Sequence, residues 1–85
     1  MKVGYKPSFV KQYSGLELAL KEEIKEKIEA FKNKANHKQL KVHKLKGRLS
    51  DYYSFSVNYK YRIIFIYLSP KEAVLLTVGD HAIYK

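Results

Sequence analysis

Cysteine is absent from the 85 residues. That excludes a disulfide framework and a thiolate zinc site. It fits a reducing compartment, so a cytoplasmic protein is expected. No apolar run approaches the ~20 residues of a membrane span, and no membrane partner is expected. The opening MKVGYKPSFV lacks an apolar h-region, so no signal peptide is expected. Acids are few, 8 against 17 Lys and Arg, giving a formal net charge of +9. That balance favours an acidic partner, either nucleic acid or an acidic protein. A basic surface also serves simple solubility. GxSxG, a Gly-rich phosphate loop and a Cys–His pair are all missing. The three histidines show no HxH or HxxxH spacing, so neither a metal nor another cofactor is expected.

What is present suits a folded chain. Apolar residues make up 46% of the sequence, too many for disorder, and residues 1–85 are expected to form one domain. Val3 and Tyr5 share one face of a first strand, which Pro7 ends. Ser8 follows as a candidate N-cap for a short helical turn through Phe9, Val10 and Tyr13. Ser14-Gly15-Leu16-Glu17 reads as a capping box. Leu16, Leu20, Ile24, Ile28, Phe31 and Ala35 then form one apolar stripe, predicting a helix from about 15 to 35. Glu17–Lys21 and Glu23–Lys27 are i,i+4 pairs on its wet face. Five of the eight acids lie in this helix, and we expect it to be structural.

The charge then changes sign. From Lys32 to Arg62 there are nine Lys or Arg and one acid, Asp51. Asn33, Asn36 and Gln39 mark a loop, with His37 expected at its surface. Val42 to Lys46 reads as a short strand and Gly47 as a turn. Strands are predicted over 52–58 and 61–68, joined by a tight turn near Asn58-Tyr59-Lys60. YRIIFIYL is apolar on both faces and should be the central strand. Ala73 to Val78 is the last strand. The fold class is therefore α+β, with an N-terminal strand and helices packed on one face of a small antiparallel sheet. Arg62 shares a face with Ile64 and Ile66. If Arg62 faces solvent, Ile63 and Phe65 lie under the helix.

The stretch HKLKGRLSDYYSFSVNYKYR, residues 43–62, mixes cations with flat rings. It holds Lys44, Lys46, Arg48, Lys60 and Arg62 together with Tyr52, Tyr53, Phe55, Tyr59 and Tyr61. That mixture suits a polyanion whose bases stack, which means nucleic acid. It equally suits a basic edge hairpin kept soluble by lysine. RNA carries its own nucleophile, the 2′-OH. A cleaving protein supplies a base for that proton, an acid for the 5′-oxygen and cations for the charge on phosphate. Histidine, lysine and arginine are the residue types for those tasks. The residues alone support a nucleic-acid binder and leave catalysis open.

HKLKG at 43–47, YSFSVNYKYRIIF at 53–65 and VGDHAIY at 78–84 stand in a fixed order behind a strand and helices. In that order the chain resembles the RelE/ParE toxin superfamily, and within it the RelE- and YafQ-type messenger-RNA endoribonucleases. The resemblance implies a RelE-like fold and the toxin of a type II toxin–antitoxin pair. It implies a metal-independent endoribonuclease that cuts messenger RNA, usually on the ribosome, and inhibits translation. It also implies a cognate antitoxin, which should be acidic and lay a helix or strand on this chain.

By the same resemblance, Arg62 matches the strand arginine used against the scissile phosphate. His81 matches the C-terminal histidine of acid–base catalysis, and His43 the histidine of the HxLxG motif. Tyr84 falls where members carry an aromatic near the active site. Lys44, Lys46 and Arg48 match the basic stretch that holds RNA, and Lys60 extends it. Members often carry another acid or histidine before the arginine strand, where this chain has SFSVNYKY, so base and acid are unassigned. The alternative is a ParE-like member of the same fold, which poisons DNA gyrase, or a nucleic-acid-binding module without enzymatic activity.

Overall fold

The computed structural model describes residues 1–80. The chain runs β1 (Lys2–Tyr5), α1 (Pro7–Ser14), α2 (Leu18–Phe31), β2 (His43–Lys44), β3 (Tyr53–Ser56), β4 (Arg62–Ser69) and β5 (Glu72–Gly79). Short 3-10 turns lie at Lys34–Asn36 and Gly47–Leu49. The strands form one sheet in the order β1-β5-β4-β3-β2. The α+β class and the central position of β4 agree with the sequence reading. Strands β2 to β5 are antiparallel, and β1 adds to β5 in parallel. The sheet is thus mixed at that edge, because two helices carry the chain back before it pairs. No helix among the described residues is long and apolar enough to cross a membrane.

The helices start differently from the local motifs. Pro7 occupies the first turn of α1, where its missing N–H costs nothing and its fixed φ suits a helix. Ser8 therefore sits inside the helix, and its hydroxyl donates to the Leu76 carbonyl at 2.8 Å. Ser14 is the last residue of α1, and its hydroxyl donates back to the Lys11 carbonyl at 2.9 Å. It is thus unavailable as the cap of α2, whose N-cap is Glu17 without a side-chain bond. Helix α2 is shorter than the expected 15–35. The ion pair among the described residues is Glu29–Lys32 at 2.6 Å, rather than either i,i+4 pair.

The apolar stripe of α2 behaves as its period demands. Leu20, Ile24, Ile28 and Phe31 are buried and pack with Phe55, Ile63, Phe65 and Leu75 of the sheet. Phe31 stacks on Phe55 with centroids 4.4 Å apart and meets Phe65 edge-on at 4.8 Å. Ala35 ends outside the core, exposed beyond the helix.

Strand β5 keeps its apolar residues inward through a bulge. Phe65 pairs with Leu75, and Ile64 with Thr77, leaving Leu76 extra. The extra residue moves the inward set from Ala73 and Leu75 to Val78, all buried. Gln12 of α1 holds the bulge, its Oε1 accepting from the Thr77 hydroxyl at 2.8 Å and the Val78 N–H at 2.9 Å.

Candidate active site on the sheet face opposite the helices

Because strand side chains alternate, pairing fixes what each face carries. Tyr53, Phe55 and Val57 turn toward the helices and belong to the core or pack against it. Tyr61 also packs against that core. Tyr52 and Tyr59 are the exposed rings of the 43–62 stretch, Tyr59 being 90% exposed at the β3–β4 turn. Most of the aromatics that suggested base stacking therefore hold the sheet to its helices.

The opposite face carries two rows. One runs His43, Ser54, Ile64, Thr77 across β2 to β5. The next runs Ser56, Arg62, Gly79. His43 and Arg62 thus point to the same side, separated by the small side chains of Ser54 and Ser56. Strand spacing and rise put their Cα atoms about 12 Å apart, diagonally across β3. Serine on one side of Arg62 and glycine on the other leave its flanks low.

Each of these side chains is oriented by backbone carbonyls. The Nδ1 of His43 lies 2.8 Å from the Lys41 carbonyl oxygen. A carbonyl only accepts, so Nδ1 carries the proton, and in the neutral ring Nε2 keeps the lone pair. Lys41 itself has φ +57. It ends a helical turn in which the Val42 N–H reaches the His37 carbonyl at 3.0 Å. A lysine takes the left-handed position usually given to glycine, at a cost of roughly 1 kcal/mol.

Arg62 folds back on the turn that precedes it. Its Nη1 donates to the Asn58 carbonyl at 2.8 Å and to the Tyr61 carbonyl at 3.3 Å. Among the described residues, the Nε and Nη2 edge has no acceptor. That edge offers two parallel N–H donors in a plane, the geometry that pairs with two phosphate oxygens.

The other basic residues divide. Lys44 pairs with Tyr53, which places it on the helix side of the sheet and not beside His43. Lys46 and Arg48 are exposed in the β2–β3 connection, at the far end of the sheet from Arg62. Lys60 is exposed in the β3–β4 turn beside Arg62, its Nζ 5.6 Å from the Tyr61 ring centroid. His81 and Tyr84 lie outside the described residues. Gly79, the last residue of β5, pairs with Arg62.

His37 differs from the surface residue expected. It is half-buried, stacked on Phe31 at 4.8 Å, and its Nε2 donates to the Phe31 carbonyl at 2.7 Å. It closes the C-terminus of α2, where the last carbonyls lack helical partners. Asn58 is the site residue that sequence reasoning treated only as a turn marker. The one sequence signal was its place four residues before Arg62.

No family model matches the chain, and no curated protein matches it. Solved structures do. The chain is similar to the YoeB–YefM complex from Staphylococcus aureus, with TM-score 0.72 and 18% identity, covering 95% of this chain and 97% of that one. It is similar to the archaeal RelE–RelB complex from Pyrococcus horikoshii, with TM-score 0.71 and 20% identity over 93% and 92% of the two chains. It is also similar to a YafQ mutant from E. coli, with TM-score 0.70 and 20% identity over 98% and 96%. The chain has the RelE-like fold.

Proposed function

We propose that this chain is the toxin of a type II toxin–antitoxin pair and acts as a metal-independent endoribonuclease on messenger RNA. The observation that carries the reading is the shared sheet face of His43 and Arg62. Among the described residues, nothing meets His43 Nε2 or the Nε and Nη2 edge of Arg62, and buried Ser54 and half-buried Ser56 lie between them.

In the proposed reaction, His43 Nε2 takes the proton of a 2′-OH. The 2′-oxygen then bonds to phosphorus as the P–O5′ bond breaks, leaving a 2′,3′-cyclic phosphate. Arg62 presents its Nε and Nη2 hydrogens to the non-bridging oxygens, where charge accumulates in the transition state. His81 is the proposed acid for the departing 5′-oxygen, and Tyr84 an aromatic neighbour of that step. Lys60 on one side and Lys46 and Arg48 on the other hold flanking phosphates. Lys44, on the other side of the sheet, contributes only long-range field.

The proposed partner in restraint is an acidic antitoxin. Net charge +9 would speed and salt-sensitise its association. In the Staphylococcus aureus and Pyrococcus horikoshii structures, the RelE-like chain is seen with YefM or RelB.

The test is cleavage of a defined RNA, alone and on programmed ribosomes. One substrate is all-ribose, and its twin has deoxyribose at the scissile nucleotide. The expected result is cutting of the first, with a cyclic phosphate end, and binding without cutting of the second. Equal cutting of both refutes the 2′-OH mechanism. A chain that cuts neither but stalls DNA gyrase belongs to the ParE-like alternative.

A further inference from the structure

An arginine side chain free in water samples many rotamers, so an arginine that must meet one phosphate has to be held. Arg62 is held by two carbonyls of the 58–61 turn. Those carbonyls aim at Nη1 only while that turn keeps one shape. The residue that gives it this shape is Asn58. Its Oδ1 accepts from the Lys60 N–H at 2.9 Å and from the Tyr61 N–H at 2.8 Å. Its Nδ2 donates to Oε1 of Glu23 on α2 at 2.8 Å. Its own carbonyl is the nearer acceptor of Arg62.

The orientation of the amide is fixed by chemistry. Two backbone donors face one end and a carboxylate faces the other, so exchanging oxygen and nitrogen would break every bond. The backbone of Glu23 is in turn anchored, because its neighbour Ile24 is fully buried in the core. An unbroken series of bonds therefore joins the packed helix to the guanidinium: Glu23, Asn58, turn carbonyls, Arg62.

A turn alone does not require this arrangement. An aspartate would supply the same Oδ acceptor for Lys60 and Tyr61. What it lacks is the amide that reaches α2, and it would set a second carboxylate against Glu23.

We infer that Asn58 is a positioning residue for Arg62, clamped to α2 by Glu23, so that the Nε and Nη2 edge faces the phosphate. The inference rests on the ribonuclease reading of Arg62. A 1 Å error in such a group can cost about 10²-fold in rate.

The discriminating variants are Asn58→Asp, which keeps the turn acceptor and repels Glu23, and Asn58→Asp combined with Glu23→Gln. The combination restores a donor–acceptor pair with its polarity reversed. For Asn58→Asp the expected result is a fall in kcat of ~10–10²-fold with KM within about twofold. The double variant should recover most of it. A second readout uses RNA with sulfur replacing one non-bridging oxygen of the scissile phosphate. Wild type should be slowed by one diastereomer, Arg62→Ala should be indifferent to it, and Asn58→Asp should move toward that indifference. If Asn58→Asp lowers only the melting temperature and leaves kcat and the sulfur effect at wild-type values, the positioning role is refuted. Failure of the double variant to recover kcat refutes the Glu23 clamp.

A third readout needs no RNA. Nitrogen NMR of the Arg62 guanidinium should show restrained rotation in wild type and free rotation in Asn58→Asp. A wild-type chain that cuts no RNA sinks the ribonuclease reading. The NMR comparison then decides the Asn58 clamp by itself, and free rotation in wild type overturns it.

Discussion

The two faces of the sheet use the same strands for opposite ends. Toward the helices, Tyr53, Phe55, Ile63 and Phe65 lie in one aromatic and aliphatic layer, with Phe31 stacked at its centre. Away from them, the same strands present His43, Ser54, Ser56 and Arg62. The first face is specified by volume, the second by hydrogen-bond direction. Two histidines mark the difference. His37 is stacked on a core ring, with Nε2 committed to the end of α2. His43 is exposed, with Nδ1 committed to Lys41 and Nε2 pointing away from that bond. Each donates once to a carbonyl and in its neutral form keeps a lone pair on the other ring nitrogen; His43 is exposed, whereas His37 is half-buried. A face whose groups are all satisfied contributes stability. Among the described residues the second face leaves the Nε and Nη2 edge of Arg62 without an acceptor, and donors held in a fixed position suit a ligand because their orientation is prearranged.

The sharpest way to break this division is to cut into each face separately. Phe31→Ala should cost ~3–5 kcal/mol in urea unfolding, since it empties the centre of the aromatic layer. It should do so whether or not RNA is added. A loss under 1 kcal/mol would mean that the layer is not the core.

Arg62→Ala should lower cleavage by ~10²–10³-fold, the usual cost of one charge-stabilising donor, while leaving the urea midpoint within experimental scatter. A large stability loss would instead assign Arg62 to the first face, through its bonds to the turn.

His43→Gln and His37→Gln form a matched pair. The first should reduce kcat by ~10²-fold or more without unfolding the chain. The second should lower the melting temperature and leave the rate per folded molecule unchanged. Reversal of that pattern would exchange the roles of the two histidines.

Lys46→Ala should weaken RNA binding and reduce the slope of log K against log salt by about 0.7–0.9 units, one phosphate contact. An unchanged slope would remove the β2–β3 connection from the binding track.

The smallest effect belongs to Tyr67, on the helix side. Burial, and then the neighbouring Tyr53, hold its phenol above the ordinary value of 10.0. A folded pKa above the unfolded one means the native state keeps its proton longer. The contribution is therefore full below pH 10 and declines as pH rises through the folded value. Tyr67→Phe should flatten the alkaline limb of the stability curve by a few tenths of a kcal/mol, on the usual scale of minor substitutions. A limb as steep as wild type would place the alkaline loss elsewhere.

Much of the first face was legible in the sequence. The four-and-three spacing of Leu20, Ile24, Ile28 and Phe31 allows only one helix face. Alternation in YSFSV and the double-sided apolar run in RIIFIYL named the buried set and the central strand. The helix beginnings were not legible, because Ser8 and Ser14 have more than one carbonyl or N–H within reach. Pro7 starts α1 early enough to place both serines inside it. The parallel entry of β1 and the extra residue at Leu76 were equally hidden. The first depends on β1, and the second on Gln12, meeting a strand that lies more than 60 residues away in sequence.

The second face divides along the same line. Sequence by itself determined which residue types were available: a basic stretch, three histidines, one strand arginine and no thiol. It determined that Arg62 shares its sheet face with Ile64 and Ile66, because side chains alternate along any strand. Only the tertiary structure decided that His43 shares that face while Lys44 does not, since β2 contributes two residues and its register comes from pairing with β3. It alone decided that His37 closes a helix, that His43 bears its proton on Nδ1, and that Asn58 ties Arg62 to Glu23. These are relations between groups far apart in the chain or bonded in one direction of several. Periodicity carries no information about direction, whereas a packed core that fixes the backbone does.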